Sequence, residues 1–427
     1  MRTPSTFANR KGLISWALYD WANSAFPTVI ITFIFATYFT QGIAVDEITG
    51  TSQWGYGMSV SAIFVAVLLP VLGAIADQRG PRKPWLFFFT IVSVVATACL
   101  WFARPDTNYV LMALIMAGLA NFAFEAGIVF YNSMLPDIAP NKRIGRISGW
   151  SWGAGYAGGL CCLLLALIGF VQTEEPWFGV DKIDAANIRA TTLLVALWFL
   201  TFSMPLFVFT PDKKPTGVKV GAAVYSGIRT LIKTLKQVRH HKDLARYLLA
   251  RMIYTDGLNT LFAFGGIYAA GTFGFTFIEL IQFGIAINVT SGIGAATFAW
   301  IDDWVGSKKT IIISIVALTI LSTLILFIET KELFWIFGLM LGVFVGPAQA
   351  ASRTLMARMA PPDLRTEMFG LYAFSGKATA FLGPAALAFT TDIFSSQRAG
   401  MATMVVFFVV GGFLLLTVNE KHSASAD

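Results

Sequence analysis

Apolar runs of about 20 residues follow one another along the whole chain, each long enough to cross a hydrocarbon core roughly 30 Å thick. They fall at 14–41, 54–76, 85–103, 108–134, 147–171, 191–210, 247–271, 278–300, 310–330, 333–357, 369–393 and 398–419. In lipid every backbone N–H and C=O must find a partner within the protein, so a spanning segment is a helix or part of a closed barrel. The short alternating segments of a membrane barrel are absent. The sequence therefore predicts an all-α polytopic membrane protein with twelve transmembrane helices. The first run carries Asp20 and Asn23 and is too long for the core of a secretory signal, so it is expected to remain as a span.

Composition excludes the soluble classes. The chain is 56% hydrophobic and 13% charged, against about 25% charged in a soluble domain. That charge cannot clothe a soluble surface on 427 residues, which rules out a cytosolic enzyme, a secreted globule and a disordered chain. Cys99, Cys161 and Cys162 lie inside apolar runs and read as small packing residues, not a disulfide framework or a metal site. The histidines, His240, His241 and His422, all fall in polar segments. No nucleophile and base converge, so neither an enzyme, a cofactor nor a metal is expected.

The net charge of +7 has two readings, nucleic acid or membrane orientation, and its distribution decides between them. Of 31 Lys and Arg, 24 lie in the two tails and in the loops that follow even-numbered runs. The opposite loops hold Arg104, Lys182, Arg189, Lys331 and Arg398. This asymmetry predicts that both termini are cytoplasmic, in the plasma membrane if the protein is bacterial. It also removes nucleic acid as a partner. The stretch 211–246 mixes Arg229, Lys233, Lys236 and Arg239 with Ile228, Leu231, Ile232 and Leu235 at helical spacing. It is expected to form an amphipathic linker helix near an anionic leaflet, with membrane lipid as its partner.

Three sequence echoes relate the segment 1–210 to the segment 247–427. Asp20-Trp-Ala-Asn23-Ser-Ala-Phe26 matches Asp256-Gly-Leu-Asn259-Thr-Leu-Phe262. Asp77-Gln-Arg79-Gly80-Pro-Arg82-Lys83 matches Asp303-Trp-Val-Gly306-Ser-Lys308-Lys309. Asn132-Ser-Met-Leu-Pro-Asp137-Ile-Ala-Pro140 matches Arg353-Thr-Leu-Met-Ala-Arg358-Met-Ala-Pro361. The matches keep their order, which argues for two pseudo-symmetric six-helix bundles. Duplicated bundles of this kind hold solute between them near the midplane and alternate access by rocking.

Ionisable and amide groups inside the runs mark the candidate path, because an ion at bilayer depth costs about 2.5–3.5 kcal/mol on the insertion scale and normally faces a bundle interior or water. Asn121, Glu125 and Asn132 lie within about 40° of one another on a helical wheel. Glu125 either faces the transport path or forms a buried structural pair. Asp20 and Asn23 precede Pro27, which should loosen the first helix. Asp20 is either a gate or fold residue, or a ligand. Arg251 shares a stripe with Asn259 and is able to pair with Asp20; Asp256 lies deeper and suits a proton or cation. Lys377 suits an anion contact, with Glu125 or Asp256 carrying the proton, or alternatively a bridge to a carboxylate that ties the bundles together. Arg353 fits a gate or a lipid-interface residue better than a ligand. Asn288 and Gln349 are weaker polar contacts.

Several letter patterns are set aside. Gly153-Ala-Gly155-Tyr-Ala-Gly158 fits a dinucleotide fingerprint but follows no strand and sits in an apolar run, so it reads as close helix packing. No phosphate loop and no His-Glu-x-x-His motif occur, which leaves no encoded ATP drive and disfavours a metalloprotease.

The segment Gly73-Ala-Ile-Ala-Asp77-Gln-Arg79-Gly80-Pro-Arg82-Lys83-Pro84 closely resembles the signature loop of the major facilitator superfamily. The resemblance implies that Asp77 and its basic partners Arg79, Arg82 and Lys83 latch the cytoplasmic face; Asp303 and Lys308 of the matching loop, with Arg353 at the end of the tenth run, are expected at the same gate. Here Gln78 stands where a basic residue is usual. Trp16-Ala-Leu-Tyr-Asp20-Trp-Ala-Asn23, Phe130-Tyr-Asn132, Leu248-Leu-Ala-Arg251, Gln349-Ala-Ala-Ser-Arg353 and Phe369-Gly-Leu-Tyr372 resemble one branch, the Unknown Major Facilitator family. That branch is similar to the autophagy-related vacuolar amino-acid effluxers. The resemblance implies the major facilitator fold, working as a monomer, and a secondary transporter of a small polar solute, first of all an amino acid or related zwitterion, coupled to protons. A lipid flippase on the same fold and a transport-inactive sensor remain as alternatives.

Overall fold

The computed structural model describes residues 8–236 and 242–419. Expectations for Arg239, His240, His241 and His422 fall outside those residues. Every regular element among the described residues is helical. Span one covers Arg10–Ile43, span two Glu47–Arg79, span three Lys83–Phe102, span four Thr107–Ile138, span five Asn141–Val171 and span six Ile183–Phe209. A linker helix, Val220–Lys236, follows. Then come span seven, Lys242–Phe273, span eight, Phe277–Val305, span nine, Ser307–Ile325, and span ten, Lys331–Met359. Span eleven is two pieces, Arg365–Lys377 and Leu382–Phe394, and span twelve is Gln397–Leu416.

Ten of these helices are long and apolar enough to cross a membrane. The two exceptions have visible causes. Span seven carries Lys242, Asp243, Arg246, Arg251 and Asp256. Span eleven, expected as one helix over 369–393, is interrupted at 378–381. Pro384 has no amide to offer the Ala380 carbonyl, so the ladder cannot pass that point. The turn closes instead through tighter bonds, Ala380 N–H to Lys377 O at 3.3 Å and Leu382 N–H to Thr379 O at 2.7 Å.

Pro27 has the expected effect in span one. The α-helix ends at Asn23 and π-helix begins at Phe26. The Ile34 amide reaches back five residues to Val29 O at 2.9 Å, and the Thr32 hydroxyl donates to Pro27 O at 2.9 Å. A wide turn is the usual response of a helix to a missing donor. Span two starts earlier than its apolar run because Asp46 caps it, accepting the Thr49 amide at 2.9 Å.

Small residues draw the helices together. Ala113, Ala117, Ala120, Ala123 and Ala126 are all buried along span four, the pattern by which membrane helices approach closely. Large apolar side chains such as Ile63, Phe64 and Val67 point outward, as lipid-facing positions should. Two seams join the bundles. In one, a Cβ on Gly73 would meet the Thr366 carbonyl of span eleven, and one on Gly370 the Leu69 carbonyl of span two. In the other, Gly149 and Gly153 of span five lie against Ala295, Ala299 and Gly292 of span eight. Both tight seams lie toward the end that carries the basic loops, here termed the basic end.

Candidate functional site

The basic end is held by two crosswise caps. Asp77, at the end of span two, accepts the Thr366 and Glu367 amides at 3.1 and 2.8 Å and the Thr366 hydroxyl at 2.7 Å. These are free amides at the start of span eleven, where the helix dipole favours an anion. Asp303, at the end of span eight, accepts the Gly145 amide at the start of span five, at 2.8 Å. Each bundle thus supplies the acid that caps the other bundle's fifth helix. Asp77 does not cap the next helix in the chain. Span three is served by Asp212, which accepts the Arg82 amide at 3.0 Å and the Lys83 amide at 2.8 Å.

Cations surround both caps. Arg82 is buried, donates to the Thr366 hydroxyl at 2.9 Å, lies 3.6 Å from Asp77 and pairs with Asp137, which also pairs with Arg365. Lys213 of the linker stands 3.7 Å from Asp137. Burial, reinforced by the Arg82 guanidinium, pushes the Lys213 ammonium below its ordinary pKa. In the second group Arg358 lies 3.4 Å from Asp302 and 3.7 Å from Asp303, and Arg146 lies 3.6 Å from Asp303. Two expected gate residues stand apart. Lys83 donates to Phe207 O at 3.0 Å within its own bundle, and Lys308 ties down the end of span twelve through Leu416 O and Val418 O at 2.9 and 2.6 Å. Neither crosses between bundles. The Arg79 side chain makes none of the contacts above, although its carbonyl accepts the Thr216 amide at 3.0 Å.

Deeper in, Arg353 of span ten enters the N-terminal bundle. It is fully buried and donates to Asp20 at 2.8 Å, to the Ser148 hydroxyl at 2.9 Å, to Ser148 O at 2.5 Å and to Asn132 at 3.4 Å. The Ser151 hydroxyl gives Asp20 a second bond at 2.6 Å. The rings of Trp16, Tyr131 and Trp152 lie 4.8–5.8 Å from the guanidinium carbon. Asp20 therefore pairs with Arg353 and not with Arg251. Arg251 stacks 3.4 Å from the Tyr372 ring and donates to Tyr372 O and the Ser375 hydroxyl at 2.6 and 2.7 Å. Gln349 also bridges the bundles, accepting from Trp152 at 3.2 Å and Tyr156 at 2.9 Å.

Toward the middle, Lys377 of span eleven meets Glu125 of span four at 2.8 Å, with 34% and 18% of the side chains exposed. The pair joins opposite bundles and is only partly buried. Asn121 turns away to Ser61, at 3.0 Å, so the polar stripe of span four divides among three partners. Asn23 is buried and close to Ser24, while Asn259 is exposed. Asn288 donates to Gly284 O at 2.7 Å and lines an apolar recess of about 340 Å³ with Trp150, Tyr156 and Leu160, at the seam of spans five and eight. Asp256 is buried, and its Oδ1 has no hydrogen-bond partner.

Residues 40–427 match the family described as "Vacuole effluxer Atg22 like". The chain belongs to that family. Among the relatives of this Atg22-like chain is an uncharacterized MFS-type transporter, YxiO of Bacillus subtilis, 27% identical over 417 residues, covering 97% of this chain and 96% of the relative. Autophagy-related protein 22 of Pichia angusta is 23% identical over 410 residues, covering 83% and 72%. The fold is that of the human organic anion transporter MFSD10, with a TM-score of 0.76 at 13% identity over 97% of this chain and 100% of that one. The proton:xylose symporter XylE gives a TM-score of 0.71 at 13% identity over 96% and 95%. This Atg22-like chain is accordingly a multi-pass membrane transporter of the major facilitator fold.

Sequence reasoning missed Ser148, Ser151, Asp137, Arg358 and Arg365. A signal for two of them lay in the third echo, which sets Asp137 opposite Arg358: equivalent positions carry opposite charges, each needing a partner at the same end.

Proposed function

We propose that the chain moves a small polar solute by alternating access and couples that movement to protons. The observation that carries this reading is the Lys377–Glu125 pair, an ion pair between opposite bundles that stays partly exposed. A zwitterion can divide such a pair, its carboxylate going to Lys377 and its amine to Glu125. Protonation of Glu125 would equally release Lys377 for an anion. The likeness to the Atg22 proteins makes amino acids the first solutes to try. The rocking units are residues 1–210 and 247–427, joined by 211–246. By the distribution of Lys and Arg, the basic end is cytoplasmic, so the bundles are here closed toward the cytoplasm. The Asp20–Arg353 group and the crosswise caps act as the gate on that side.

The test is flux in proteoliposomes with and without a pH gradient, using solutes first selected by thermal shift. Glu125→Gln should leave solute binding measurable and remove the dependence of flux on pH. Unchanged pH dependence in that variant defeats the coupling role. The recess between spans five and eight favours a second reading, the passage of an amphiphile. A fluorescent phospholipid that changes leaflet faster in vesicles with the protein than without it would support that reading over the first.

A further inference from the structure

We infer that Asp256 is the anchor of a binding site for a small monovalent cation, sodium in the first instance, set at the interruption of span eleven and separate from the Lys377–Glu125 pair. The first repeat shows what an acid at this position ordinarily requires. Asp20 occupies the matching place and is neutralised by Arg353 and bonded by Ser151. Asp256 is just as buried, only 2% exposed, yet no cation among the described residues pairs with it. The two cations on neighbouring turns are bound elsewhere, Arg251 by Tyr372 and Ser375, and Lys377 by Glu125. Span twelve meets this stretch through Phe408, which packs on Gly257, and brings no charge. A buried carboxylate left without a counter-charge is costly enough that something must neutralise it.

The polar group nearest it is a hydroxyl, not a cation. The Thr379 side chain stands beside the carboxyl group. Asp256 Oδ1 and Thr379 Oγ1 are both buried, and neither makes a hydrogen bond within 3.5 Å. One turn further along the same seam, Thr260 donates to the Asp256 carbonyl at 2.7 Å. Its hydroxyl oxygen lies 2.0 Å from where a Cβ on Gly383 would be, and the Asp256 carbonyl lies 3.0 Å from it. Only glycine allows spans seven and eleven this close. Thr379 itself belongs to the turn 378–381, where the bonding tightens and the α-helical ladder is interrupted, and Pro384 leaves the Ala380 carbonyl without its helical donor. A carboxylate, hydroxyls and carbonyls released by a broken helix form the ligand set that hard alkali cations take in transporters.

The experiment uses the full-length protein in nanodiscs, melted in sodium chloride, potassium chloride or choline chloride at equal ionic strength. Sodium should raise the melting temperature saturably while choline does not, because a ligand of the folded state stabilises it by mass action. Thr379→Val should weaken the apparent sodium affinity by about tenfold, the equivalent of one lost ligand contact, and Asp256→Asn should abolish the response. Because the response is read as melting and not as flux, it stands or falls separately from the coupling role proposed for Glu125. Binding of radioactive sodium to the immobilised protein gives the same comparison if Asp256→Asn melts too early to scan. Equal melting in sodium and choline, or a sodium response that survives both substitutions at Asp256 and Thr379, overturns the proposal. So does a response that follows pH in choline and is indifferent to sodium, which would make Asp256 a proton site.

Discussion

Arg353 reaches from one bundle into the other and exchanges water for four protein acceptors and three aromatic faces. A guanidinium suits this because its fork bonds in several directions at once, which a lysine ammonium on a flexible stem cannot reproduce. Removing one partner from a buried ion pair costs about 3–5 kcal/mol. Asp20→Asn should therefore lower the melting temperature and raise thiol labelling of a cysteine at position 148. Unchanged labelling would mean that the pair does not hold the basic end shut. Arg353→Lys is expected to behave similarly, because Ser148 O and Asn132 lose their donor even though the charge is kept. The sequence made Asp20 visible as an anomaly in an apolar run. Its partner was legible only through the repeat. Asn132 and Arg353 are equivalent residues, and here they lie 3.4 Å apart. Arg251, closer by its place in the second repeat, was drawn off by a tyrosine ring and a serine that no periodicity reveals.

Between residue and molecule stand the elements that bend or dock. Span eleven shows why helix boundaries in lipid are only partly readable. Gly376, Gly383 and Pro384 were plain in the sequence, but hydropathy over 369–393 is indifferent to a missing donor, so the run read as one helix. Pro384→Ala should restore the ladder across 378–381. The expected result is a variant that folds normally but has lost sodium stabilisation and most of its flux; full retention of both would show that the interruption has no function. The linker helix was anticipated from its spacing, but its seat was not. Gly227 packs against the backbone of Ile75, Ser226 reaches Gln78 at 3.3 Å, and Ala223 is buried. The helix thus rests on span two and keeps Arg229 and Lys233 exposed. Gly227→Leu would drive a side chain into atoms 2.9 Å from the Cβ position. It should free the linker, seen as faster limited proteolysis after Arg229 or Lys233. Equal cleavage in both proteins would count against docking.

For the molecule as a whole, the apolar runs and the three echoes were sufficient for the bundle architecture, because lipid leaves a chain so few ways to satisfy its backbone. They were insufficient for the way the bundles meet, which depends on glycines whose value lies in the partner they admit. A Cβ on Gly153 would lie 3.3 Å from the Ala296 Cβ, near the roughly 3.8 Å of a disulfide. In a background lacking Cys99, Cys161 and Cys162, the double variant Gly153→Cys with Ala296→Cys should cross-link readily. Oxidation should stop flux, and reductant should restore it. Flux that continues while the seam is bonded would rule out rocking of one bundle on the other.

The crosswise caps on spans five and eleven carry a consequence for leakage. Because Asp77 grips a helix of the opposite half and Asp303 returns the grip, neither half can relax while the other holds. Release is then one concerted event that uncovers two carboxylates and two helix ends together, all of which water can hydrate at once. A lone breach on one flank, the kind through which ions would slip and dissipate a membrane gradient, has no stable geometry to occupy.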